Sequence, residues 1–219
     1  MLDALLFDLD GTLADTDKLH LLAMQQLLHE EGRTLTEAEF DAHISGRANA
    51  DLCRYLFPDR PLSEHLDFAD RKEARFRALS PTLQATAGLL ELLEYAGQQR
   101  IGMAVVTNAP RANAEHMLKA LGLSGRFEHV LVAEELARAK PDPLPYLTGL
   151  ERLGAQAGNA LAFEDSLPGV RAASGAGIFT VGLATSQRPE ALLEAGAQLV
   201  VADFADARLW EVIGGMRVG

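Results

Sequence analysis

An apolar run from Ala4 to Phe7 stops at two carboxylates one residue apart, Asp8 and Asp10, followed by Gly11 and Thr12. Carboxylates so placed can hold a hard divalent cation through oxygen, or one of them can attack phosphorus or carbon as a nucleophile. Asp and Gly also favour turns, so a simple loop is the competing reading of this stretch. Further polar residues follow apolar runs: Thr107 and Asn108; Glu134 and Glu135, with Lys140 before Pro141; and Glu164, Asp165 and Ser166. Singly, each has an ordinary structural use. Thr107-Asn108 can cap a helix, Lys140 can be a loop lysine, and Glu164-Asp165 can complement a helix dipole.

Whether they act together depends on the elements that carry them. Four apolar residues without alternation suit a strand buried on both faces, as in a parallel sheet covered by helices. From Gly88 onward, strand patterns at 103–106, 130–132, 161–163, 178–181 and 199–201 alternate with helical ones at 89–95, 112–121, 145–153 and 170–176. Residues 16–80 read differently. Leu19, Leu22, Leu27 and Leu28 recur at helical spacing, and Gly32 stands where that helix should end. Thr36 with Glu37 and Glu39 starts another helix; Leu52, Tyr55 and Leu56 form a stripe before Pro58; Leu66, Phe68, Phe76 and Leu79 punctuate a charged helix over 63–79. No strand pattern is evident there. The expected fold is α/β: a doubly wound parallel-sheet (Rossmann-like) core over 1–14 and 82–219, with an inserted all-helical cap subdomain over 15–81.

In such sheets ligands bind beyond the carboxyl ends of the strands. One edge would then gather Asp8, Asp10, Thr107, Lys140, Glu164 and Asp165. Crowded carboxylates repel one another unless a cation binds among them, and an oxygen-only donor set points to Mg²⁺. Lys140 offers a compact charge for a carboxylate and a phosphoryl oxygen, and Thr107 offers a hydroxyl. Positioning and charge stabilisation of this kind are what phosphoryl transfer needs.

Composition sets the outer bounds. With 48% apolar and 23% charged residues, the 219-residue chain reads as an ordinary globular protein. A net charge of −11 argues against a nucleic-acid partner, which would require a basic stripe. Cys53 is the only cysteine, excluding an internal disulfide and a cysteine-based zinc cluster. No secretory signal and no membrane span is legible, so the expectation is a cytoplasmic protein, a monomer or weak dimer, acting on a small phosphorylated metabolite.

Phe7-Asp-Leu-Asp-Gly-Thr-Leu-Ala-Asp-Thr16 resembles the first motif of the haloacid dehalogenase superfamily of phosphohydrolases. Val105-Val-Thr-Asn108 is similar to its second motif, Lys140-Pro-Asp-Pro143 to its third, and Phe163-Glu-Asp-Ser-Leu-Pro-Gly169 to its fourth, in the family's order. Within it, the chain most resembles the subgroup of phosphoglycolate phosphatases, small sugar-phosphate phosphatases and β-phosphoglucomutases. The resemblance implies that Asp8 attacks phosphorus and that Asp10 protonates the leaving oxygen, then activates water. It further implies Mg²⁺ (magnesium) on the side chains of Asp8 and Asp165 and the main-chain carbonyl of Asp10, with Glu164 assisting. Thr107 and Lys140 would hold the phosphoryl group, with Asn108 beside them at the substrate.

In the cap, His20 and Arg47 are expected to contact substrate, whereas Lys72, inside the charged run Arg71 to Arg77, reads at least as well as a solvated residue. The runner-up activity is a phosphosugar mutase. Mutases of this group often have another residue at the position of Thr12, Ser-Ala in place of Thr107-Asn108, and a cap arginine near Asn49, so the departures here favour hydrolysis. A phospho-accepting signalling module would be shorter and would lack the helical insertion.

Overall fold

The computed structural model describes residues 1–45 and 47–216. Strand β1 (Ala4–Phe7) is buried along its whole length, as an unbroken apolar run requires. Leu5 and Phe7 pack into one apolar layer, and Ala4 and Leu6 into the layer on the opposite face. That two-residue period repeats in β2 (Gly102–Thr107) and β4 (Ala160–Glu164), with Met103, Val105, Leu161 and Phe163 on the first face and Ala104, Val106, Ala160 and Ala162 on the second. Phe7 and Phe163 stack at 4.9 Å between ring centroids, and Phe204 meets Phe163 edge-on at 5.2 Å.

With β3 (His129–Val132), β5 (Phe179–Leu183) and β6 (Leu199–Val201), the strands form one parallel sheet in the order β3-β2-β1-β4-β5-β6. The order reverses after β3, which leaves a crevice at the carboxyl ends of β1 and β4. Strand positions agree with the sequence pattern to within two residues at each end.

Among the described residues, four helices follow β1 ahead of residue 82: α1 (Asp17–Glu30), α2 (Glu37–His43), α3 (Asn49–Leu56) and α4 (Leu62–Leu79). No strand occurs among the described residues of that stretch. Thr36 and Glu39 form a reciprocal capping box at the start of α2. Met24, Leu27, Leu28, Phe40, Leu52, Leu56 and Phe68 share a separate apolar cluster. The chain leaves β1 and returns side by side, where Thr86 donates its N–H to Leu13 and its hydroxyl to the Thr12 carbonyl.

The remaining helices flank the sheet: α5 (Leu89–Gln99), α6 (Arg111–Ala120), α7 (Leu144–Leu153), α8 (Leu167–Gly175), α9 (Pro189–Ala195) and α10 (Ala207–Gly215).

Three expected apolar points are exposed instead: Leu22, Tyr55 and Leu66. In α1 the buried side is Ala23, Met24, Leu27 and Leu28, one step around the helix from Leu22. In α4 the buried side is Phe68, Ala69, Lys72, Glu73 and Phe76, so Lys72 is not a solvated residue. Its 3.6-residue phase matches Phe68 and Phe76, and position on the helix outweighed charge because Glu73 is buried alongside it.

Candidate active site

Asp8 follows β1 directly and is buried, with its Oδ1 accepting a hydrogen bond from Lys140 Nζ at 2.6 Å. The same ammonium donates to Glu164, the last residue of β4. Glu164 is fully enclosed; its Oε1 also accepts from the Tyr146 hydroxyl at 2.7 Å, and its Oε2 accepts from Ser166 at 3.2 Å. Asp165, the next residue, accepts from Ser186 Oγ at 2.7 Å. One carboxylate oxygen each from Asp8, Glu164 and Asp165 lies within 4.8 Å of the others.

Two glycines make room for this cluster. Gly11 has φ +76°, and a Cβ there would overlap the Asp165 carboxylate; a Cβ at Gly169 would overlap that of Glu164.

Asp10 belongs to a different environment. Its Oδ1 accepts from Thr16 Oγ1 and from His20 Nε2, both at 2.8 Å. His20 stacks flat on Phe76 at 3.9 Å, which fixes the imidazole plane. The two neighbouring carboxyls are therefore driven apart. Burial, reinforced by the charges of Glu164 and Asp10, raises Asp8 well above the usual range despite Lys140. Asp10 resists the same burial, because the His20 charge and the hydrogen bonds of His20 and Thr16 hold it lowered. Burial also raises Asp165, with Asp8, Asp17 and Glu164 adding repulsion. Lys140 is raised, since its two carboxylate partners outweigh the penalty of burial.

Thr107 ends β2, buried beside this edge, and its Oγ1 accepts the Ala109 N–H at 3.0 Å. Asn108 braces the Lys140 backbone from both ends of its amide: Oδ1 accepts from Lys140 N at 3.1 Å and Nδ2 donates to Lys140 O at 3.3 Å. Asp8, Asp10, His20, Thr107, Asn108, Lys140 and Asp165 all border one cleft between the sheet edge and the inserted helices. Arg47 stands exposed at its rim. Of the candidate site residues only Glu164 does not border the cleft, and it supports Lys140 from beneath; Glu134 and Glu135, also noted after a strand, pair with Arg111 instead.

A family model for haloacid dehalogenase-like hydrolases matches residues 5–183. The chain belongs to that family. The phosphorylated carbohydrates phosphatase of Thermotoga maritima is 32% identical over 204 residues, which cover 91% of this chain and 94% of that one. CbbY of Rhodobacter sphaeroides, solved in complex with xylulose-(1,5)bisphosphate, superposes with a TM-score of 0.85 at 28% identity, covering 94% of this chain and 96% of that one. β-Phosphoglucomutase of Clostridium difficile shares the fold, with a TM-score of 0.86 at 23% identity over 99% of this chain and 98% of that one. As a haloacid dehalogenase-like hydrolase with relatives named phosphatases, this protein is a hydrolase of phosphate monoesters.

Several partners in this hydrolase's site have no motif of their own. Tyr146 lies within the helix expected at 145–153, and a buried phenol needs a hydrogen-bond partner, which was the available signal. Ser186 follows β5 just as the other site residues follow their strands, but the pattern reading ended that strand at 181 instead of Leu183. Thr16 bonds Asp10 from the last residue of the first motif. Asn49, Glu73 and Asn113 reach the cleft only through helix packing.

Proposed function

We propose that the protein is a Mg²⁺-dependent phosphatase that hydrolyses a small phosphorylated metabolite through a phosphoaspartyl intermediate on Asp8. The observation that carries this reading is the division of labour between Asp8 and Asp10. One carboxyl is paired with Lys140 among acids, and the other is tied to a histidine and a hydroxyl.

The all-oxygen set of Asp8, Asp165 and Glu164 fits a hard cation, and the carboxyls of Asp8 and Asp165, raised by burial and further by repulsion from neighbouring carboxylates, carry a cost that a cation would relieve. The side chains of Asp8 and Asp165 and the main-chain carbonyl of Asp10 would hold it, with Glu164 assisting. Bound Mg²⁺ supplies positive charge to the phosphoryl oxygens.

In the first step an Asp8 oxygen forms a bond to phosphorus as the bond to the leaving oxygen breaks. Asp10 gives that oxygen a proton and is left as a carboxylate held by hydrogen bonds from His20 and Thr16. In the second step water attacks phosphorus, Asp10 takes its proton, the Asp8–phosphorus bond breaks and inorganic phosphate leaves. Lys140 and Thr107 hold the transferring group, and Asn108 fixes the Lys140 backbone. His20 acts through Asp10, while residues 15–81 serve as a cap whose rim residue Arg47 meets the leaving group.

Replacing Asp8 by Asn should abolish turnover of phenyl phosphate while circular dichroism stays unchanged. Rapid-quench labelling of the unaltered protein should place phosphate on Asp8. Label on any other residue would refute the mechanism.

A further inference from the structure

Away from the reacting edge, the cleft wall holds a buried polar chain that the reading above does not use. Glu73 on α4 accepts from Lys72 Nζ at 2.7 Å and from Asn49 Nδ2 at 2.8 Å through Oε1. Its Oε2 accepts from Asn113 Nδ2 at 2.5 Å, and Asn113 Oδ1 in turn accepts from Arg77 at 2.6 Å. Asn113 belongs to α6, beside the sheet, whereas its partners belong to the inserted helices. Asn113, Lys72 and Glu73 are all buried, and all border the cleft.

An ion pair removed from water seldom stabilises more than apolar residues of the same volume, so one kept at a cleft wall calls for another use. Lys72 Nζ donates to Glu73 and, at 3.5 Å, to Asn49. An ammonium carries three donors and no acceptor, which leaves one N–H for a ligand oxygen.

We propose that Asn113 is a positioning residue: by anchoring Glu73 across the junction between α6 and α4, it aims the Lys72 ammonium at an oxygen of the leaving group. Leaving-group recognition is then complete only when the inserted helices are seated on α6. The substrate class this selects is an ester whose leaving group carries a hydroxyl, carboxylate or second phosphate. The proposal rests on the phosphatase reading.

The test compares phenyl phosphate, which has no such oxygen, with the fastest of phosphoglycolate, glycerol 3-phosphate and glucose 6-phosphate. Asn113→Ala should lower kcat/KM for the oxygenated ester about tenfold, mainly through KM, and leave phenyl phosphate within about twofold. In a Lys72→Met background the same substitution should cost nothing further, because its effect passes through Lys72. Glu73→Gln should repeat the selective loss and serves as the test if Asn113→Ala fails to fold. Equal losses on both esters, additive losses in the double variant, or no loss at all would overturn the proposal. Failure of the unaltered protein to hydrolyse any of these esters would instead remove the phosphatase reading, and this proposal with it.

Discussion

At the scale of single residues, the separation of Asp8 from Asp10 makes the sharpest claims. General acid–base catalysis is typically worth ~10² to 10⁴-fold. Asp10→Asn should therefore still form some phosphoenzyme but release phosphate slower by about that factor, so label accumulates on Asp8. Wild-type release rates in a rapid-quench experiment would reduce Asp10 to a structural role. Asp17, at the cleft wall, gives a pH-dependent prediction. Burial raises it to about 6 against the opposing charge of His20, and Asp10, Asp15 and Asp41 add repulsion. An acid with a folded pKa above its unfolded value holds its proton more tightly when folded, so stability falls as pH rises between the two values. Its ionised form is thus a burden at neutral pH, on the order of 1 kcal/mol after solvent screening. Asp17→Asn should raise Tm by about 2–4 °C at pH 7.5 and hardly at all at pH 4, as measured by calorimetry in chelator. Equal gains at both pH values would contradict this account.

At the scale of elements, the site depends on how tightly α8 follows β4. Glu164 ends the strand, Ser166 caps the helix through the Gly169 N–H, and the absent side chain of Gly169 leaves the space that the Glu164 carboxylate fills. Gly169→Ala should cost about 1–3 kcal/mol through overpacking. It should also slow turnover about 10²-fold by displacing Glu164 and with it Lys140. Thermal unfolding and phenyl phosphate turnover check both effects, and a variant as stable and active as the parent would show that α8 can shift freely. Strands were legible because parallel strands buried on both faces read as apolar runs, as in Ala4–Phe7 and Ala160–Glu164. Lys72 was not legible: a charged residue in a charged run gives no sign that Glu73, Asn49 and Asn113 will enclose it.

At the scale of the whole molecule, the sheet edge draws acids from distant parts of the chain into one buried place, at a cost in mutual repulsion. A ligand that binds only the folded state stabilises by about 2.7 kcal/mol at a hundredfold excess over Kd. Saturating Mg²⁺ should accordingly raise Tm by about 5–10 °C over the chelated protein. Asp165→Asn should lose most of that gain. Unchanged unfolding temperatures with and without Mg²⁺, together with full turnover after exhaustive chelation, would reject the metal assignment.

The sequence by itself determined the parallel α/β core, the helical insertion between β1 and β2, and the candidate residues at the strand ends. It could do so because apolar runs and turn residues are local signals, and because ligands of open sheets collect at one edge. Only the tertiary structure decided who partners whom: His20 with Asp10, Tyr146 with Glu164, Ser186 with Asp165, and Asn113 with Glu73. These contacts join residues 10 to 40 positions apart in the chain. No local pattern encodes them, because they arise from the angle at which one helix or loop packs on another.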